Sequence, residues 1–156
     1  MLALEGIKIL DLSRMAPMPY CTMILADLGA DVLKIEDPSP ITGRRAEQAG
    51  GTQAAPRAME ARSPYAAMNR NKRSMGLNLK HKEAQQIFYK LTETADVVTE
   101  DFRPGVSKRL GIDYEVLSKI NPRMVGSVLD DKMLNEGMNH PFPLVNGRLI
   151  TRGQSR

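Results

Sequence analysis

The feature that most constrains this chain is an alternation of two kinds of segment. Short apolar runs are separated by stretches in which apolar residues recur at helical spacing. The run "IKILDL" (7–12) is rich in branched side chains and reads as a strand. Pro17 and Pro19 stand where a helix can begin, because proline is tolerated in a first turn. "YCTMILADLGA" then reads as a helix with apolar Met23, Ile24 and Leu28, stopped by Gly29. "DVLKI" (31–35), "SMGLNL" (74–79), "DVVT" (96–99) and "MVGSVL" (124–129) are further strands. Between them, Ala84, Ile87, Phe88 and Leu91 share one helical face, and "YEVLSKI" (114–120) is a short helix that ends before Pro122. The segment 37–64, rich in Pro, Gly, Ala and Arg, has no period and reads as a long functional loop or a flexible excursion.

Continuously apolar strands alternating with helices require a sheet covered on both faces. The predicted fold class is therefore α/β: a mostly parallel sheet with helices on both faces, Rossmann-like in kind. With 156 residues, the chain is long enough for one such domain. Residues 1–129 are predicted to form it, with 130–156 as a divergent C-terminal tail.

Ligands of such sheets bind beyond the carboxyl ends of the strands. Those ends are 13–17, Glu36 with Asp37, 78–80 and 100–103. The last opens "TEDFRPGVSKRLGID" (99–113), which gathers Arg103, Lys108 and Arg109 around a Pro104-Gly105 turn. Basic groups on a tight loop past a strand commonly face an anion. A net charge of +4 agrees with a polyanionic ligand. A dinucleotide would use Glu36 for a ribose, but the first turn "SRMAPMP" has no glycine, and its prolines remove N–H groups that a pyrophosphate needs. Nucleic acid is disfavoured: aromatics are 4%, Trp is absent, and acids are interspersed among the basic residues of the middle segment. A single cysteine and two distant histidines supply no metal-site motif. No apolar run reaches membrane-spanning length and the N-terminus has no signal-peptide pattern, so a cytoplasmic setting is expected, or an organellar matrix in a eukaryote.

Three segments, "LEGIKILDLSRMAPMPYCTMILADLGADVLKIE", "NRNKRSMGLNLK" and "ADVVTEDFRPGVSKRLGIDYEVLSKINPRMV", together resemble the class III coenzyme A transferases of CaiB/BaiF type, a family that includes the α-methylacyl-CoA racemases. The resemblance runs from about Leu4 to Val125. It implies the N-terminal half of the family's large domain, with coenzyme A as ligand, acyl-CoA and a carboxylic acid as partners, and a homo-oligomer. It places Ala16 and Pro17 beside the thioester arm. Leu77, Asn78, Leu79 and Lys80 would cradle the adenosine part. Asp101, Phe102 and Arg103 match the family's "ENFRPG" loop, and Arg109 matches a phosphate-contacting arginine. Arg109 has a second reading as a partner of Asp113 or Glu115, and Lys80 as a solvated helix start. Asn71, Lys72 and Arg73 also match, but read as structural ties between loop and sheet. Cys21 reads as a small buried hydrophobe.

Two departures from the family pattern bear on function. Asp37 stands where the family often has an arginine that meets a phosphate, which predicts weaker binding of the adenosine end. The Gly-His/Tyr-Asp motif that supplies the nucleophilic aspartate is absent, and "LDDKMLNEGMNHPFPLVNGRLITRGQSR" follows Val128 instead. Asp130 and Asp131 lack the flanking glycine and histidine and read as an exposed turn. The tail weakly resembles the family's C-terminal segment, as an internal deletion, splice form or truncation would leave it. The function is thus read as CoA transfer between carboxylic acids through an aspartyl intermediate. Two alternatives stand beside it: a catalytically inactive CoA-binding remnant or interaction module, and an acyl-CoA racemase.

Overall fold

The computed structural model describes residues 1–14, 17–38, 64–128, 144–145 and 148–149. In chain order the elements are β1 (Lys8–Asp11), α1 (Met18–Asp27), β2 (Asp31–Glu36), α2 (Pro64–Met68), β3 (Arg73–Gly76), α3 (Lys82–Thr92), β4 (Val97–Glu100), α4 (Val106–Leu110), α5 (Tyr114–Ile120), β5 (Val125–Val128), β6 (Leu144–Val145) and β7 (Arg148–Leu149). The sheet order is β3-β2-β1-β4-β5-β6-β7. The pairs among β1 to β5 are parallel, and β5-β6-β7 close antiparallel. The α/β fold with its mostly parallel sheet is therefore present, and the strand order reverses between β1 and β4.

Side-chain alternation divides the core in two. Ile9 and Val32 join Ala26 and Ala30 in a cluster against α1, with Val97 packed on it. Leu10, Leu33 and Val98 face the other way and join Phe88 of α3, Leu117 of α5, Ile112 and Met124. Both sheet faces are covered, which is why the strands are apolar on both sides.

Several local expectations need correction. The buried side of α1 is Met18, Pro19, Thr22, Met23 and Ala26, so Ile24 and Leu28 face outward and Cys21 is exposed. The helix is apolar nearly all round, so its sequence does not fix which stripe turns inward. The third strand ends at Gly76, and Leu77 begins a turn held by its N–H donated to the Glu36 carbonyl at 2.7 Å. The basic loop after β4 contains a helical turn, α4, bracketed by Gly105 and Gly111 with φ of 81° and 68°. Both are conformations that glycine adopts without Cβ strain. Strands also occur beyond β5, as the short pair β6 and β7.

Asp113 is the N-cap of α5: its carboxylate accepts the N–H groups of Glu115 and Val116 at 3.1 and 3.3 Å. Its role is therefore filled by backbone. Asp113→Ala is expected to cost about 1 kcal/mol, lowering the thermal midpoint by about 2–4 °C, as followed by circular dichroism.

Candidate functional site

Two assemblies occupy the carboxyl end of the sheet. The first is a buried polar network on the α1 side. Strand register sets Asp11 opposite Lys34 on β2 and Thr99 on β4. Asp11 is fully buried. One of its oxygens accepts the Ser13 N–H at 2.9 Å and the Ser13 hydroxyl, with Thr99 Oγ1 at 3.4 Å. The other accepts Thr22 Oγ1 at 2.7 Å and Lys72 Nζ at 3.0 Å, with Lys34 Nζ at 3.7 Å. Lys34 also donates to the Ser13 carbonyl at 2.6 Å. Burial pushes the Asp11 carboxyl up, but Lys34, Ser13, Lys72 and Thr22 together hold it below the usual range. Burial pulls the Lys72 ammonium below its ordinary value despite Asp11. The Lys72 side chain is 1% exposed and also donates to the Pro19 carbonyl, Thr22 Oγ1 and Asn69 Oδ1.

Neighbouring residues extend the tie. Arg70 and Asn71 bond Asp27 of α1, and Arg73 bonds Asp31. The structural reading of Asn71, Lys72 and Arg73 therefore agrees with their contacts. The network fastens β1, β2, β4, α1 and the chain entering β3, and so fixes where Ser13 and Arg14 leave the sheet.

The second assembly is a cleft of about 180 Å³ on the other face. Its apolar floor is Leu12, Ile35, Leu77 and Leu79, and Phe102, Val106 and Leu110 form one wall. Arg14, Lys80 and Arg109 bring positive charge, with Asp37 as the opposing carboxylate. The turn that presents Lys80 is held by the Lys80 N–H on Asn78 Oδ1 at 3.2 Å and by Gln85 on the Leu79 carbonyl at 3.0 Å. Arg14 donates its backbone N–H to both Asp101 oxygens at 2.9 and 2.8 Å. Its guanidinium lies 5.5 Å from the Phe102 ring centroid and 3.8 Å from Asp37. Complete small-ligand pockets run to roughly 300–1,000 Å³, so this cleft fits part of a coenzyme-sized ligand.

Residues 4–128 match CoA-transferase family III. The chain belongs to that family. An acyl-CoA transferase of Fusarium pseudograminearum is 45% identical over 127 residues, which are 79% of this chain and 27% of that protein. The succinyl-CoA–L-malate CoA-transferase beta subunit of Chloroflexus aurantiacus is 40% identical over 124 residues, covering 80% and 29%. Among solved structures, a CAIB/BAIF family protein of Brucella suis aligns with a TM-score of 0.65 at 30% identity, over 81% of this chain and 33% of that one. A hypothetical protein of Mycobacterium tuberculosis gives 0.68 at 32%, covering 83% and 34%. This family III chain thus spans about a third or less of the length of these proteins.

Of the residues singled out in the sequence of this family III member, Leu77, Asn78, Leu79, Lys80, Phe102 and Arg109 line the one cleft. Asp101 stands behind it and holds the Arg14 backbone. Arg103 is exposed and outside the lining, and Pro17 is the exposed N-cap of α1. Ala16, Asp130 and Asp131 lie outside the described residues, as does nearly all of the tail 130–156. Sequence reasoning assigned no ligand role to Arg14, Val106 or Leu110. Position past β1 was the only available signal for Arg14. Among the described residues there is no group of three or more metal-ligating side chains, and no helix is long and apolar enough to cross a membrane.

Proposed function

We propose that this chain binds coenzyme A, or an acyl-CoA thioester, in the cleft at the carboxyl ends of β1 to β4. Lys80 and Arg109 meet its phosphates. Leu77, Leu79 and Phe102 offer apolar surface to adenine or pantetheine. The supporting observation is that six residues from two stretches far apart in sequence line one cleft with three cations and one carboxylate. Arginine suits such a ligand through bidentate, permanently charged contacts, and lysine adds a point charge.

The family reaction read from the resemblance is transfer of CoA between two carboxylic acids. The compared proteins that carry an activity in their names are transferases, which favours transfer over α-proton exchange as the ancestral chemistry. The Gly-His/Tyr-Asp motif is absent from this sequence. The polypeptide is therefore proposed to hold the coenzyme without supplying the nucleophile. Tyr20, Ile24 and Leu28, four residues apart along α1 and its C-cap, are exposed, which supports a homo-oligomer.

Calorimetric titration tests the reading. CoA is expected to bind more tightly than NAD. Arg109→Ala and Lys80→Ala are each expected to weaken CoA binding by about 1–3 kcal/mol, with dephospho-CoA less sensitive to whichever side chain meets the 3′-phosphate. Tighter NAD binding, or variants that bind CoA like the parent, would reverse it.

A further inference from the structure

The buried network and the cleft meet at one peptide group. Asp11 offers a single carboxylate to two ammonium groups, Lys34 and Lys72, so the three together carry a surplus positive charge. Lys72 bonds the carboxylate at 3.0 Å, whereas Lys34 stands 3.7 Å from it. The short contact of Lys34 lies elsewhere: its ammonium donates to the Ser13 carbonyl at 2.6 Å, with the side chain 4% exposed. A buried ammonium is costly unless its charge is answered. The N–H of the same peptide group, on Arg14, donates to both Asp101 oxygens at 2.9 and 2.8 Å. The C=O and N–H of a trans peptide point in opposite directions, so the negative end of this dipole meets Lys34 and the positive end meets Asp101. Turning the plane over would set the N–H against an ammonium and the carbonyl against a carboxylate. The residues that flank Ser13, Leu12 and Arg14, both line the cleft. Leu12 is tied to β4 by its N–H on the Thr99 carbonyl at 2.9 Å, and Asp11 takes the Ser13 N–H. Three consecutive backbone N–H groups at this edge of the cleft therefore have fixed acceptors.

We infer that Lys34 is a positioning residue for the cleft: with Asp101 it clamps the Ser13–Arg14 peptide between opposite charges, and so sets the edge against which a ligand packs. Lys34 is outside the lining and acts through the backbone alone. A wall fixed before the ligand arrives lowers the ordering cost of binding. The consequence for binding rests on the coenzyme-binding reading, whereas the clamp itself does not.

Two measurements on the whole chain separate these parts: hydrogen exchange of the Arg14 amide by NMR, and calorimetric titration with CoA. The variants are Lys34→Met, Asp101→Leu, Asp101→Asn and the double variant Lys34→Met with Asp101→Leu. Lys34→Met leaves Asp11 and Lys72 as a one-to-one pair. Lys34→Gln serves in its place should the methionine variant not fold, because a neutral donor still lacks the charge that answers Asp101. The Arg14 amide is expected to exchange about tenfold faster in the Lys34 variant and in Asp101→Leu, the scale of one hydrogen bond to a charged group. CoA binding should weaken roughly tenfold in each, and no further in the double variant, because both side chains act on the same peptide. Asp101→Asn keeps an acceptor oxygen and is expected to stay within about threefold of the parent in both measurements. A residue that only stabilised the fold would lower the thermal midpoint and leave the CoA affinity of the folded protein unchanged. That result, additive losses in the double variant, or parent-like exchange at Arg14 in the Lys34 variant would overturn the proposal. If the Arg14 amide follows the expected pattern and no chain binds CoA, the clamp stands and the coenzyme reading falls. If every variant binds CoA like the parent, the coenzyme reading stands and the positioning role falls.

Discussion

Asp11→Ala is expected to remove most of the stability of the domain. The substitution deletes the acceptor that two buried ammonium groups, Lys34 and Lys72, share. Breaking a buried ion pair by removing one partner typically costs about 3–5 kcal/mol, because the surviving charge stays desolvated. Here two charges survive, in a fold whose total stability is on the order of 5–15 kcal/mol. Asp11→Asn preserves volume but keeps one acceptor oxygen, so it cannot accept from both Ser13 and the Thr22–Lys72 side, and it should lose nearly as much. Asp27→Ala, which breaks an exposed pair with Arg70, should change the midpoint little. Chemical denaturation of the three variants distinguishes these outcomes. Parent-like unfolding of Asp11→Ala would show that the network does not hold the sheet end together. The same carboxylate gives a pH dependence. Its folded pKa is depressed, so it stabilises the fold above the ordinary aspartate range, and that contribution is lost as pH falls through the folded value.

Incubated with an acyl-CoA and a labelled acceptor acid, the purified chain is expected to show no transfer above background. The expected route begins with a carboxylate attacking the thioester carbonyl and displacing CoA thiolate, to give an acyl anhydride. The motif that carries this carboxylate is absent from the sequence. Loss of a covalent nucleophile costs roughly a thousandfold or more in rate, and each 1.4 kcal/mol of lost transition-state stabilisation is about tenfold. Asp130 and Asp131 are the carboxylates nearest in sequence to the end of β5. Hydroxylamine trapping after incubation reads out any enzyme-bound thioester. An adduct on either aspartate, or turnover abolished by replacing them, would contradict the inactive reading and restore the enzyme.

The strands and the fold class were legible because apolar runs at "IKILDL" and "DVLKI" leave a sheet no solvent face. The contacts between strands were not. Register is a property of pairs, and nothing local to Asp11 or Lys34 announces that each stands opposite the other. A signal was nevertheless present: each charge interrupts an apolar run at the same distance from its strand end, which is unusual unless the two neutralise one another. The cleft was legible through the resemblance for Leu77 to Lys80, Phe102 and Arg109. Arg14 was not, because its position depends on Asp101 and Asp37, from strands remote in sequence. The α4 turn was hidden by Pro104-Gly105, a strong turn signal that also allows a helix to start immediately afterwards. Cys21 was misassigned because α1 carries apolar residues on every side, and only the packing of Met18, Thr22 and Ala26 selects the buried stripe.

Coenzyme A is proposed to occupy the cleft between the ends of β1 to β4. Backbone amide mapping by NMR during a CoA titration tests it most directly, since it locates the ligand without requiring turnover. Shifts are expected at Arg14, at Leu77 to Lys80, at Phe102 and along α4 through Arg109, saturating together with one dissociation constant. Shifts confined to other surfaces, such as the exposed side of α1 around Cys21 and Ile24, or no shifts at saturating CoA, would contradict it.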